Sequence, residues 1–257
     1  MAIKILRVSS VIFLICVITI CSYISRERVK VWGDSIKLWN SSFKNNPDIF
    51  FVYKHRGYAY IERGEYDKAI ADLSYAIKIM PEYAARYSNP NNPAFFNREQ
   101  VSVYYTLGDA YFYNNEYNKA IECYDKAIEV AATKYPEVYN NRGIAYAKKG
   151  QYGIAMKNFD TAIKLDPVYA EAHTNRGYTL SVQGRNLDAI KDYDRALAIN
   201  PGYYDAYANR AKAYFTIGEY GKAKGDIEIL IEAGYKVDQQ FLMLIREKVE
   251  ETDWGVH

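Results

Sequence analysis

Apolar positions return along this chain at helical spacing, and the helices they predict come in pairs. The stretch 136–169, PEVYNNRGIAYAKKGQYGIAMKNFDTAIKLDPVY, shows the unit most cleanly. Tyr139, Gly143 and Tyr146 stand at i, i+4 and i+7 and share one face of a first helix. Gly150 ends that helix, because glycine takes the left-handed conformation that a tight exit needs. Tyr152, Ala155, Phe159 and Ala162 stripe a second helix, and Pro167, which has no N–H to donate, closes it. Gly143 and Ala155 let the two helices approach closely, while Ala162 leaves room for a neighbouring aromatic ring. One pair cannot bury its own apolar face, so successive pairs must stack.

The unit recurs. Gly57, Gly108, Gly143, Gly177 and Ala211 are separated by 51, 35, 34 and 34 residues. Ala69, Ala120, Ala155, Ala189 and Ala223 keep the same intervals, as do Tyr60, Tyr111, Tyr146, Leu180 and Tyr214. Three columns with one set of intervals define a 34-residue repeat, with 17 residues inserted after the first unit and one after the second. The units cover 50–83, 101–134, 136–169, 170–203 and 204–237. Their aromatic, Gly, Tyr, Ala, aromatic, Ala and Pro positions resemble the tetratricopeptide repeat (TPR) family. The resemblance implies an all-α fold, a right-handed α-solenoid of helix-turn-helix pairs, and a scaffold for protein–protein interaction. Arg56, Arg142, Arg176 and Arg210 replace the motif's leucine, and Asn186, Ala132, Leu230 and Tyr235 are further departures.

The repeat frame extends at both ends. Trp32, Ser35, Trp39, Ser42 and Pro47 fall on second-helix positions and predict a half-repeat over 30–49, although tryptophans there also suit a membrane-interface belt. Residues 238–257 predict a capping helix and tail, with Phe241, Leu244, Ile245 and Lys248 on one face.

The start of the chain reads differently. No charge occurs from Val8 to Ser25, and five basic residues (Lys4, Arg7, Arg26, Arg28, Lys30) flank that run against one acid, Glu27. At ~1.5 Å per residue, residues 5–25 reach about 30 Å and match a bilayer core. A cleaved signal peptide needs small residues where Ile20, Tyr23 and Ile24 stand. The expectation is an N-terminal membrane anchor over 1–29, a single-pass membrane protein, and the lipid bilayer as a partner of residues 5–25. The flanking charges nearly tie and leave the orientation open. The junction WGDSIKLWNSSFKNNPD resembles the end of multi-pass glycosyltransferase-like membrane proteins that carry such repeats. That resemblance leans the array outside the cytoplasm, and it implies a second function, a repeat module derived from or partnering such a protein.

Composition removes other classes. With 49% apolar and 25% charged residues the chain is not disordered, and 33 Lys plus Arg against 31 Asp plus Glu is too balanced for a nucleic-acid binder. Cys16, Cys21 and Cys123 cannot make a disulfide framework, and His55, His173 and His257 show no metal-ligand spacing. No phosphate loop or nucleophile motif occurs, so no cofactor and no enzyme activity is expected. Cys123 reads as a packing residue.

In the family the first helix of each pair lines a concave groove. The resemblance places Tyr58 (with Lys54), Tyr105, Asp109 and Phe112 there in the first two units. In the last three it places Asn140, Ile144 and Lys148, then Thr174 and Tyr178, and then Lys212 with Phe215. Asn141, Asn175 and Asn209 add amides at one register, suited to holding a peptide backbone or to bonding within the array. Co-chaperone members carry a two-carboxylate clamp of Lys and Asn. Here Lys54 is followed by Tyr58 and Thr106 where asparagines belong, and Asn140 with Ile144 does not restore the pair, so acidic chaperone tails are not expected as ligands. The insertion 84–100, AARYSNPNNPAFFNREQ, predicts a turn-rich loop whose Phe95 and Phe96 either contact a partner or tuck between units. A protein partner is expected, with self-association through the tyrosine-rich groove also open.

Overall fold

A computed structural model describes residues 36–37, 39–40, 49–87, 93–131 and 134–254. The described residues form eleven α-helices and no strand, and the chain divides after Asn114 into two compact units. The expected anchor over 5–25, and Trp32, Ser35, Ser42 and Pro47 of the half-repeat, lie outside the described residues.

The first unit holds α1 (Phe50–Glu62), α2 (Tyr66–Tyr87) and α3 (Pro93–Tyr113). α1 packs on α2, and α3 packs on α2 and touches α1. Phe50, Val52, Tyr53 and Ala59 of α1, Ala69, Leu73, Ala76 and Met80 of α2, and Val101, Val103, Leu107 and Ala110 of α3 are buried. The flanks of the insertion are helical, while its core, 88–92, lies outside the described residues. α2 runs through Pro81 to Tyr87, and helix resumes at Pro93, where a first-turn proline loses no hydrogen bond. An aromatic cluster stabilises the extension. Phe50 meets Tyr83 edge-on at 5.2 Å and Phe96 at 6.4 Å, and Phe95 lies 6.1 Å from Phe51.

The second unit holds α4 (Tyr117–Val130), α5 (Pro136–Lys148), α6 (Tyr152–Leu165), α7 (Ala170–Val182) and α8 (Asn186–Ile199). It continues with α9 (Tyr204–Thr216), α10 (Tyr220–Glu232) and α11 (Gln239–Trp254). Each first helix packs on its own second helix and on the second helix before it, and α7 touches both α5 and α9. Gly150 turns the chain between α5 and α6 at φ 73°, and the turn closes with Gln151 N–H donating to the Tyr146 carbonyl at 2.9 Å. Asn115 holds the equivalent place one repeat earlier at φ 63°, a conformation asparagine tolerates better than other side chains.

Close approach inside each pair depends on a missing side chain. A Cβ on Gly143 would stand 2.7 Å from the Phe159 ring, and one on Gly177 would stand 2.8 Å from the Tyr193 ring. Both rings are almost wholly buried. Where the last repeat has Ala211 instead, the facing residue is Ile227, which is smaller than either ring.

The arginines that replace the family's leucine make a second set of ties. Arg176 Nε and Nη2 donate to both oxygens of Asp192 on its own partner helix at 2.8 and 2.6 Å, and Nη1 donates to Asp160 on the preceding second helix at 2.7 Å. Arg210 repeats this with Asp226 and Asp194. Arg142 reaches Asn158 and Asp125, and Arg56 reaches Asp72 and Asn40. Arg142, Arg176 and Arg210 therefore each join three helices, and Arg56 joins α1 to α2 and to Asn40. The second repeat departs at both positions, carrying Leu107 for the arginine and Cys123 for its acid, with Ser74 one repeat earlier at the place of the bridging carboxylate.

Two expectations are corrected. Among the described residues, which do not include the expected span over 5–25, no helix is long and apolar enough to cross a membrane, so the single-pass membrane assignment is not supported. α2, at 22 residues, has the length but carries Asp67, Lys68, Asp72, Lys78, Glu82 and Arg86. In α11 the inward stripe is Phe241, Leu242, Ile245 and Val249, packed on Ala223, Ile227 and Leu230, while Leu244 faces outward.

Three outcomes are expected. Gly143→Ala loses about 1–3 kcal/mol because the buried Phe159 ring cannot withdraw, whereas Gly225→Ala, with open space within 4 Å, gains roughly 0.5–1 kcal/mol; urea melts of both check this. Arg176→Leu loses roughly 2–4 kcal/mol by stranding Asp192, and Arg176→Leu with Asp192→Cys, the natural pair of the second repeat, recovers most of that loss. Burial raises the Asp192 carboxyl, but the Arg176 guanidinium and His173 outweigh it and hold its pKa below 3.8. The stability it contributes is present above 3.8 and is lost as pH falls through its lower folded value. The deficit of Asp192→Asn therefore shrinks below that pH, read from melts at a series of pH values.

Candidate docking groove

The predicted site residues fall into two sets, one in each unit. In the first unit Tyr58 is exposed, with its hydroxyl 3.3 Å from the Ser102 hydroxyl. Tyr105 and Asp109 are half-buried on α3, and Phe112 lies edge-on to Tyr113 at 5.6 Å. Lys54 is buried, and its ammonium donates to Glu99 of α3 at 2.6 Å. The one lysine that fits the family's carboxylate clamp is therefore engaged by a carboxylate of this chain. Phe95 remains 42% exposed while Phe96 packs into the cluster with Phe50 and Tyr83.

The second unit brings four of its candidates together. Ile144 and Lys148 of α5 and Asn175 and Tyr178 of α7 line one cleft of about 240 Å³. Ala147, Tyr152, Phe159, Thr179 and Val182 complete it. Tyr178 is 52% exposed and Val182 48%, so the walls present apolar area to solvent. Lys148 is exposed at the end of α5. Val182 stands one repeat after Lys148, so the repeat register alone contained the signal for it; Tyr152 and Phe159 come from the second helix and had no such signal.

Asn141 and Asn175 bond within the array, one of the two uses open to these amides. Asn175 donates to the Asn140 side-chain carbonyl at 3.0 Å, and the fully buried Asn140 donates to Asn141 at 3.1 Å and to Glu171 at 3.0 Å. Glu171 also accepts from the Tyr169 hydroxyl at 3.2 Å. Asn140 and Thr174, expected to face the groove, are instead buried: Asn140 organises bonds within the array, and the Thr174 hydroxyl donates to the Ala170 carbonyl at 3.1 Å. Asn209 is half-buried on α9 and Lys212 is exposed there. Phe215 turns to the end of the stack, 5.2 Å from Tyr220 and 5.4 Å from Phe241, and serves core packing.

Titration adds little reactive chemistry. Burial, with the Glu122 charge, pushes the Cys123 thiol up to about 12. Burial, with Glu171 and Asp205, pushes Tyr203 up to about 12. Among the described residues no three His, Cys, Asp or Glu side chains gather as a metal site would need.

Family profiles match this chain as TPR repeat over 108–150 and as tetratricopeptide repeat over 50–83, 140–204 and 192–225. These matches show that the chain carries tetratricopeptide repeats, the repeat of protein-interaction scaffolds. It is similar to small glutamine-rich tetratricopeptide repeat-containing protein 2 of Mycosarcoma maydis, 29% identical over 101 residues, which is 39% of this chain and 24% of the relative. The chain thus spans about a quarter of that relative's length. Among solved structures it is similar to Pseudomonas aeruginosa pilF, with TM-score 0.63, 20% identity, and 79% of this chain and 86% of that one covered. It is also similar to YrrB, described as a TPR protein with an unusual peptide-binding site, with TM-score 0.53, 17% identity, and 81% and 97% covered. At these identities the structures share the fold.

Glu99→Gln is expected to leave the buried Lys54 ammonium without its carboxylate and to lose roughly 2–4 kcal/mol. Urea denaturation checks this, and Lys54→Met with Glu99→Leu should recover most of the loss.

Proposed function

We propose that this chain is a non-enzymatic docking module whose α5–α7–α9 groove in the second unit takes a segment of a protein partner. One observation carries the reading: exposed apolar Tyr178 and Val182 face Ile144 across a cleft that Asn175 and Lys148 make partly polar. An apolar cleft with a few polar groups is the form of a recognition site. The Lys54–Glu99 pair argues against a clamp for acidic chaperone tails in the first unit. Phe95, exposed beside Phe51, is a subsidiary contact in this reading. No observation among the described residues favours the reading as a module partnering a multi-pass glycosyltransferase-like protein.

The test is co-purification of the tagged full chain from its source cells, wild type beside Tyr178→Ala with Ile144→Ala. Circular dichroism establishes that the variant is folded. A stoichiometric partner lost from the folded variant supports the groove. A partner held equally by both moves the interface elsewhere and overturns the reading.

A further inference from the structure

We infer that the cleft between α5 and α7 selects a partner segment in which one large apolar side chain lies next to acidic residues. The inference rests on the groove reading above and adds the chemistry of the occupant. Size comes first. The cleft of about 240 Å³ falls short of the ~300–1,000 Å³ that encloses a small-molecule ligand, so it fits one large side chain, not a cofactor. Ile144, Tyr178 and Val182 form its walls with the Phe159 ring behind them, surfaces that a Leu, Met or Phe would desolvate.

Charge comes second. Glu171, the acid at the opening turn of α7, is engaged by Asn140 and Tyr169. At the other end of the same face Lys148 lines the cleft, and no acidic partner for it occurs among the described residues. Lys149 is exposed next to it, and Lys212 is exposed on α9, the helix beyond Tyr178. Lys148 is the charged residue among those that line the cleft, so the charge there is positive, and its complement is a carboxylate adjoining the inserted side chain. Such pairs are exposed and contribute modestly, so apolar insertion sets affinity while the lysine sets preference and salt dependence.

The test pans a displayed random dodecapeptide library on the full chain, with the folded Tyr178→Ala chain as counter-selection and Ile144→Ala as a second groove variant. Selected peptides are made with a fluorescein label and titrated by anisotropy at low and high salt. They are expected to share a Leu, Met or Phe beside Asp or Glu, and exchanging that residue for Ser should weaken Kd about tenfold or more. Lys148→Glu should weaken the acidic peptides roughly three- to tenfold and favour versions with Lys in place of the acids. Groove-dependent peptides without that pattern, or no effect of Lys148→Glu, overturn this inference and leave the groove reading standing. Peptides that bind the groove variants equally, or no selected peptide at all, overturn both.

Discussion

Contact between a glycine on one helix and a buried ring on the next is the constraint from which the rest of this structure follows. Gly143 against Phe159 and Gly177 against Tyr193 leave no space for a methyl group. Two helices brought that close place the residue before the glycine within reach of the partner helix. That is why Arg142 and Arg176, each one position earlier, meet Asn158 and Asp192 sixteen residues on. The ring contact and the polar tie are thus two results of one approach distance.

The ties also explain how neighbouring pairs hold register. A bidentate guanidinium bond restricts both partners in angle as well as distance, and the third N–H of Arg176 or Arg210 adds the preceding second helix to the same arrangement. Isolated surface ion pairs contribute little, but Asp192 and Asp226 keep only 9% and 5% of their side-chain area exposed. Such partly buried carboxylates become costly when left alone. The second repeat, with Leu107, Cys123 and Ser74, lacks all three members of this set at once. Loss of the cation together with its acids avoids stranding any one charge.

The candidate groove draws on the same geometry. First helices pack through their small residues, which turns their neighbouring positions outward: Ile144 and Tyr178 each directly follow a packing glycine. Asn140 satisfies the buried polar groups behind them, leaving the apolar cleft walls and Lys148 facing solvent. In the first unit the same face is partly used up, with Lys54 joined to Glu99 and the tyrosine hydroxyl of Tyr58 beside Ser102.

The repeat period, the helix pairs and the turn glycines were legible from residues alone, because helical spacing and backbone conformation are local properties. Val182 was within reach of the same register. Other features needed the folded molecule. The insertion read as a loop, yet Phe50, Tyr83 and Phe96 cluster, and its flanks are helical up to Tyr87 and from Pro93. The arginines read as mild departures from a motif, and their acids became visible only once paired helices were placed side by side. Phe215 shares the groove register but turned to Phe241, and Leu244 gave its inward place to Leu242. Sequence by itself determined which residues share a helix face. Tertiary structure decided which faces meet and which side chains remain in water, because burial and charge pairing depend on neighbours far away along the chain.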